Sequence, residues 1–231
     1  MGEMITFPAN GGTCPGYLAK AGEPAAAGHD NGKGVGVVVV QEWWGLNAHI
    51  KDLTDRFAAQ GYHALAPDLY HGVIATEPDE AGKMLMALNI ERAAADMRGA
   101  IAHLRELTGK PVGIIGFCMG GALSLYAACD DPDGVGACVD FYGGHPAVKP
   151  NLAALRAPVL GIFAEKDRGV SPAAVQALDE QLTALGKAHD FTTYPDANHA
   201  FFNDDRPQVY DAAAAADAWQ KTLAFYAANL G

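Results

Sequence analysis

The stretch Val-Gly-Ile-Ile-Gly-Phe-Cys-Met-Gly-Gly, residues 112–121, decides how the rest of the chain is to be read. Residues 112–116 form a short apolar run of the kind that becomes a strand buried on both faces. The remainder is G-x-C-x-G. A residue with glycine two places away on either side can occupy a sharp strand-to-helix turn, where larger neighbours would collide. Such a turn lifts the Cys118 sulfur above the sheet. It also aims the first amides of the next helix, expected over residues 122–129, at any anion formed beside it. Outward from this centre the chain alternates. Residues 35–40, 63–66, 135–142, 159–164 and 190–194 are strand-like, whereas 47–60, a long run from about 80 to 107, 172–186 and 207–229 are helix-like. Residues 20–34, rich in Gly, Ala and Pro, read as a surface loop. This alternation predicts an α/β fold, with a mostly parallel central sheet and helices on both faces, over residues 1–231 as a single domain.

Open parallel sheets carry their chemistry at the C-terminal ends of the strands. After residues 159–164 comes Glu165-Lys166-Asp167, and after 190–194 comes Pro-Asp-Ala-Asn-His, ending at His199. Nucleophile, acid and histidine, each beyond a successive strand, follow the α/β-hydrolase order and not the chymotrypsin or subtilisin orders. Cys118 would attack a carbonyl, His199 would move the proton, and Asp167 would hold the imidazole's tautomer and orientation. Asp140, Asp196 and Glu165 compete for the acid role. Asp140 lies inside a strand pattern, and Asp196 stands only three residues from His199 in the same loop.

A fourth strand end, Gln-Glu-Trp-Trp-Gly (41–45), follows residues 35–40. In this arrangement an early strand's loop supplies one oxyanion-hole amide and the residue after the nucleophile supplies the other, which nominates the N–H groups of Trp43 and Met119. A carboxylate at Glu42, at the end of a buried strand, is costly without a partner. Trp43, Trp44, Tyr70 and Tyr142 are candidates for an aromatic-lined pocket.

Taken together, V-V-V-Q-E-W-W-G (38–45), A-P-D-L-Y (66–70), G-F-C-M-G-G (116–121), D-F-Y-G-G (140–144), A-E-K-D (164–167) and N-H-A-F (198–201) resemble the dienelactone hydrolase (carboxymethylenebutenolidase) family over nearly the whole chain. The resemblance implies a single-domain α/β hydrolase with a cysteine nucleophile, acting through a thioester on a small lactone or ester. It also gives Glu42 a role, since in the family that acid pairs with the thiol in the resting enzyme and shifts when substrate binds. Two departures stand out. The best-known members clamp the substrate's carboxylate with an arginine two places after the Tyr of P-D-L-Y, which here is Gly72, and with another shortly after the catalytic histidine. Here Ala200 follows His199, and the nearest arginine is Arg206. Without the first clamp, neutral esters or lactones are expected to react at least as well as a carboxylated dienelactone.

Composition narrows the alternatives. Sixteen Lys and Arg against 27 Asp and Glu give a formal charge of -11, with no basic block. Nucleic acid and anionic membranes are therefore poor partners. No long uncharged apolar run reads as a membrane span, and the N-terminus lacks the pattern of a secretory signal. Four cysteines without C-x-x-C spacing fit reduced thiols in the cytoplasm. The eight histidines show no metal-site spacing, the glycines near residue 34 precede a strand instead of following one, and no cofactor is expected. A monomer or small homo-oligomer acting on a small molecule is expected. The competing readings are a carboxylesterase or thioesterase on other small esters, and a non-catalytic thiol sensor on the same fold. A sensor would have no need of Asp167 or His199.

Overall fold

The structure, a computed structural model, describes residues 1–22 and 34–230. The surface-loop expectation for residues 20–34 lies largely outside them. The chain runs β1 (Glu3–Ala9), β2 (Gly12–Ala19), β3 (Gly36–Val40), α1 (Ala48–Ala59), β4 (His63–Pro67), α2 (Pro78–Ala87), α3 (Ile90–Thr108), β5 (Val112–Phe117), α4 (Met119–Asp130), β6 (Val135–Phe141), β7 (Val159–Ala164), α5 (Pro172–Ala184), β8 (His189–Tyr194) and α6 (Ala212–Asn229). The strands form one sheet in the order β1-β2-β4-β3-β5-β6-β7-β8. The pairs from β4 through β3 to β8 are parallel, while β1 with β2 and β2 with β4 are antiparallel.

The two-residue period of a strand divides the core. Val37, Val39, Ile115, Phe117, Val139 and Ile162 face one cluster, covered by Ile50, Leu53 and Phe57 of α1 and by Ala214, Ala218 and Tyr226 of α6. Val38, Val40, Ile114, Cys138 and Val159 face the other, covered by Met97, Ile101 and Leu104 of α3 and by Leu123 and Leu125 of α4. Met97, Ile101 and Leu104, spaced three and four apart, thus form the buried stripe of α3.

The hairpin β1–β2 is absent from the sequence expectation. It lies at the sheet edge, half exposed and interrupted by Pro8 and Pro15, so it offers no apolar run. Its signal is Asn10-Gly11, both with positive φ, the dipeptide preferred in a two-residue hairpin turn. The helix expected over 80–107 is two helices. Leu88 is extended (ψ 123°), and the Asn89 side chain caps α3 by accepting the Arg92 N–H at 3.0 Å. The last helix begins later than 207, because Asp211 caps it through the N–H groups of Ala213 and Ala214.

Asp140 points from β6 into the packing beneath the turn at Cys118, where a Cβ on Gly121 or Gly143 would meet its carboxylate. Burial pushes its carboxyl up to about 7, with the Gly143 N–H pulling the other way. A folded value above the ordinary 3.8 means that the native state holds the proton more tightly between the two. Its contribution to stability is therefore lost as pH rises through that window. Asp140→Asn removes this dependence. The unfolding free energy from denaturant titration should shift in the variant's favour between about pH 4.5 and pH 8, by on the order of 2–4 kcal/mol. An equal offset at both pH values would contradict the assignment.

Candidate active site

Cys118 lies between β5 and α4 with φ 57° and ψ −119°. That backbone costs a non-glycine residue on the order of 1–3 kcal/mol and persists only where the surroundings impose it. Its N–H donates to the Phe141 carbonyl (3.0 Å), and its carbonyl accepts from Gly121 (3.0 Å) and Gly144 (3.2 Å). A Cβ at Gly116 would run into the Gly120 carbonyl, and one at Gly120 into those of Val40 and Gln41. Both glycines of G-x-C-x-G are therefore demanded by close backbone approach. Met119 opens α4, so its N–H has no intrahelical acceptor. Trp43 lines the same cleft as Cys118, in a turn where the Gly45 N–H meets the Glu42 carbonyl at 3.3 Å.

The loops after β7 and β8 are joined backbone to backbone. Glu165 N–H donates to Tyr194 (3.0 Å) and Lys166 N–H to Ala197 (3.1 Å). This brings His199 Nδ1 to 2.6 Å from Asp167 Oδ2. The other oxygen, Oδ1, accepts the N–H groups of Gly169 (2.6 Å) and Val170 (2.8 Å), so the buried carboxylate is held from both sides. With Nδ1 occupied, Nε2 is left for the nucleophile. Burial pulls the His199 pKa down, but the hydrogen bonds the ring donates to Asp167 and to the Cys118 sulfur outweigh it and hold it well above the ordinary imidazole value. The competing acids are elsewhere: Asp196 pairs with Lys166 at 2.9 Å, Glu165 is exposed, and Asp140 lies in β6.

Glu42 is 2% exposed and lines the cleft beside Cys118 and His199. Its Oε2 accepts from Asn203 Nδ2 at 2.7 Å, while Oε1 has no partner among the described residues. Asn203, itself buried, is absent from the sequence expectation; four residues past His199, it carries no motif. Gln41, which the sequence motif contains but to which it assigns no role, is also buried. Its Oε1 accepts the Leu69 N–H at 3.1 Å and ties the end of β3 to the loop after β4.

The cleft encloses about 760 Å³. Of the aromatic candidates, Trp43 lines it and Trp44 does not; Arg206 lines it too, with its guanidinium 5.6 Å over the Trp44 ring. Tyr70 and Tyr142 do not line it. Tyr70 donates its hydroxyl to Met119 Sδ at 3.4 Å. Tyr142 has φ 42° and gives its N–H to Ile162, which turns the ring inward, fully buried and 5.0 Å from the His199 ring. It backs the histidine instead of meeting a ligand. Arg168 and Lys166, which the sequence expectation omits, also line the cleft.

The model of the Dienelactone hydrolase family matches residues 21–230. The chain belongs to the dienelactone hydrolase family. It is 37% identical to Protein usf of Aquifex pyrophilus and 33% identical to a "Putative carboxymethylenebutenolidase" of Aquifex aeolicus, in each case over 98% of both chains. The crystal structure titled "Putative Dienelactone Hydrolase" from Klebsiella pneumoniae superposes with a TM-score of 0.86 at 30% identity, covering 98% of both chains. As a member of the dienelactone hydrolase family the chain is a carboxymethylenebutenolidase-like enzyme, a hydrolase of small esters or lactones with the α/β-hydrolase fold. Among the described residues no helix is long and apolar enough to cross a membrane.

Proposed function

We propose that this family member cleaves a small lactone or carboxylic ester by covalent catalysis through Cys118. The carrying observation is the His199–Asp167 contact of 2.6 Å in the cleft that the strained Cys118 turn enters. The sulfur attacks the carbonyl carbon as its proton passes to His199. The oxyanion forms against the N–H groups of Trp43 and Met119. When the carbon–oxygen bond breaks, His199 returns the proton to the departing alkoxide, which in a lactone stays attached as the opened ring. Water, deprotonated by His199, then attacks the thioester, and the carbon–sulfur bond breaks to free the acid as His199 returns that proton to the Cys118 sulfur. The unpartnered Glu42 Oε1 is available to the thiol proton in the resting enzyme, with Asn203 steadying the other oxygen. Residues 1–231 act in this reading as one domain in the cytoplasm, as a monomer or small homo-oligomer. Rapid quenching followed by intact-protein mass measurement tests it: an added acyl mass should appear in the wild type and be missing in Cys118→Ala.

The lining of the cleft alters the expected substrate charge. Gly72 offers no clamp, but Arg206 and Arg168 both line the cleft, and neither makes an ion pair among the described residues. Two unpaired guanidinium groups favour a substrate with a carboxylate, to which each can donate in a bidentate fashion. A matched free acid and methyl ester should differ in kcat/KM by roughly 10–100-fold in favour of the acid. Arg206→Ala and Arg168→Ala should each narrow the ratio while leaving the methyl ester little changed. Equal rates for the pair would return the reading to neutral substrates.

A further inference from the structure

Outside the cleft, three side chains with metal-ligating atoms meet where β2, α3 and the loop after β4 come together. Cys14, His71 and Asp96 each bring one such atom to within 4.8 Å of the other two. The proposed reaction uses none of them. Cys14 and Asp96 are buried, and the His71 side chain, 23% exposed, covers them from the solvent side.

The loop is shaped to hold this arrangement. Asp68 accepts the N–H of Tyr70 (3.1 Å) through one carboxylate oxygen and that of Gly72 (2.6 Å) through the other. His71, between them, is held at φ 50°, a left-handed backbone that histidine adopts uncommonly. Its Nε2 lies 2.8 Å from Asp96 Oδ2, the only hydrogen bond of that carboxylate among the described residues. Among the described residues the Cys14 thiol donates only to two backbone carbonyls, Pro15 at 3.2 Å and Asp68 at 3.8 Å. An Asp–His pair alone would account for the ring's position. It would not account for a buried thiol facing both members of the pair.

We propose that Cys14, His71 and Asp96 form a binding site for a divalent transition-metal cation of zinc type. Sulfur, imidazole nitrogen and carboxylate oxygen are the donors zinc takes, and a thiolate selects against magnesium and calcium. The charges balance. On binding, the Cys14 S–H bond breaks, its proton goes to solvent and a metal–sulfur bond forms. Thiolate and carboxylate together then cancel the two positive charges, and neutral His71 supplies the third ligand. Three protein ligands leave a fourth position for water on the side that His71 only partly covers. Such a metal would tie β2, α3 and the loop after β4 together, one residue from Tyr70, whose hydroxyl meets Met119.

The test uses the full chain carrying Cys118→Ala, so that the candidate nucleophile contributes no thiol. Titration with Co²⁺ should show one equivalent bound, with thiolate-to-cobalt charge-transfer absorption and release of a proton, and Zn²⁺ should displace it. Adding Cys14→Ser should abolish the absorption and weaken Zn²⁺ binding by about 100-fold or more. Asp96→Asn and His71→Ala should each weaken it as well. Because His71 is partly exposed, His71→Ala provides the decisive variant if either buried substitution disturbs folding, as circular dichroism would show. Failure to bind one equivalent, or binding unchanged by His71→Ala and thus a surface cation only, overturns the proposal. Neither result bears on the role of Cys118, because none of the three ligands belongs to the cleft.

Discussion

Replacing Cys118 by alanine is expected to lower kcat/KM for the best small lactone or ester by on the order of 10⁴–10⁶. The size of the loss follows from what the turn provides. The backbone strain at Cys118, the close approach of Gly116 and Gly120, and the free amide of Met119 all converge on one sulfur position. Alanine keeps that framework and removes the sulfur that forms the covalent bond in the proposed mechanism. What survives is binding and oxyanion stabilisation of a water attack, the residue left in other enzymes that lose their nucleophile. Cys118→Ser is the more searching variant. The hydroxyl is smaller and far less acidic, and the carboxylate close by in the cleft is Glu42, buried and with one unpartnered oxygen. Cys118→Ser should recover little of the lost activity. Steady-state rates on a panel of lactones and activated esters decide the matter. Turnover by Cys118→Ala within tenfold of wild type would remove the covalent mechanism and leave the hydrolase with a water-based one.

The parts of the molecule legible in the sequence are those in which one local rule acts alone. The valines of β3 and the apolar run of β5 are buried on both faces, and unbroken β-branched or aliphatic runs have few other uses. Cys118 and Asp167 each follow such a strand, and His199 follows β8, which pairs in parallel beside β7, so their meeting is a consequence of sheet topology. Other features depend on tertiary context. β1 is stabilised by pairing with β2 at an edge, where a strand needs no continuous apolar pattern. The break between α2 and α3 is a single capping side chain in an otherwise helical run. Asn203 matters only because folding places it against Glu42, 161 positions away in sequence. Tyr142 looks like a pocket aromatic from its place after β6, and it is a positive φ that turns it into the core. Arg168 sits in plain view beside Asp167, but whether it points along the loop or over the cleft is decided by the turn that the Gly169 and Val170 amides make around the Asp167 carboxylate.

Asp167→Asn should reduce turnover by about 10⁴-fold, nearly as much as losing the histidine itself. The carboxylate accepts three hydrogen bonds, two from backbone amides and one from His199 Nδ1. Asparagine can retain the backbone pair through its carbonyl oxygen. Its other atom then becomes an NH₂ donor facing the ring, which favours the tautomer with the proton on Nε2 and leaves no base toward Cys118. The pH dependence separates this mechanism from simple loss of structure. In the wild type, Asp167 and the Cys118 sulfur hold the His199 pKa above its ordinary value, against the opposing effect of burial. The protonated ring needed to release the alkoxide is therefore present up to a correspondingly high pH, and is lost only as pH rises through the raised value. Removing the negative charge at Asp167 takes away one of the two supports and leaves desolvation in place, so the residual activity of Asp167→Asn should fall off at lower pH than that of the wild type. The full profile of kcat/KM against pH, measured for both proteins on one substrate, makes the comparison. An alkaline limb that does not move, or a variant retaining most of its rate, would show that another carboxylate orients His199, and Glu165, two residues before Asp167 in the same loop, would be the first to replace.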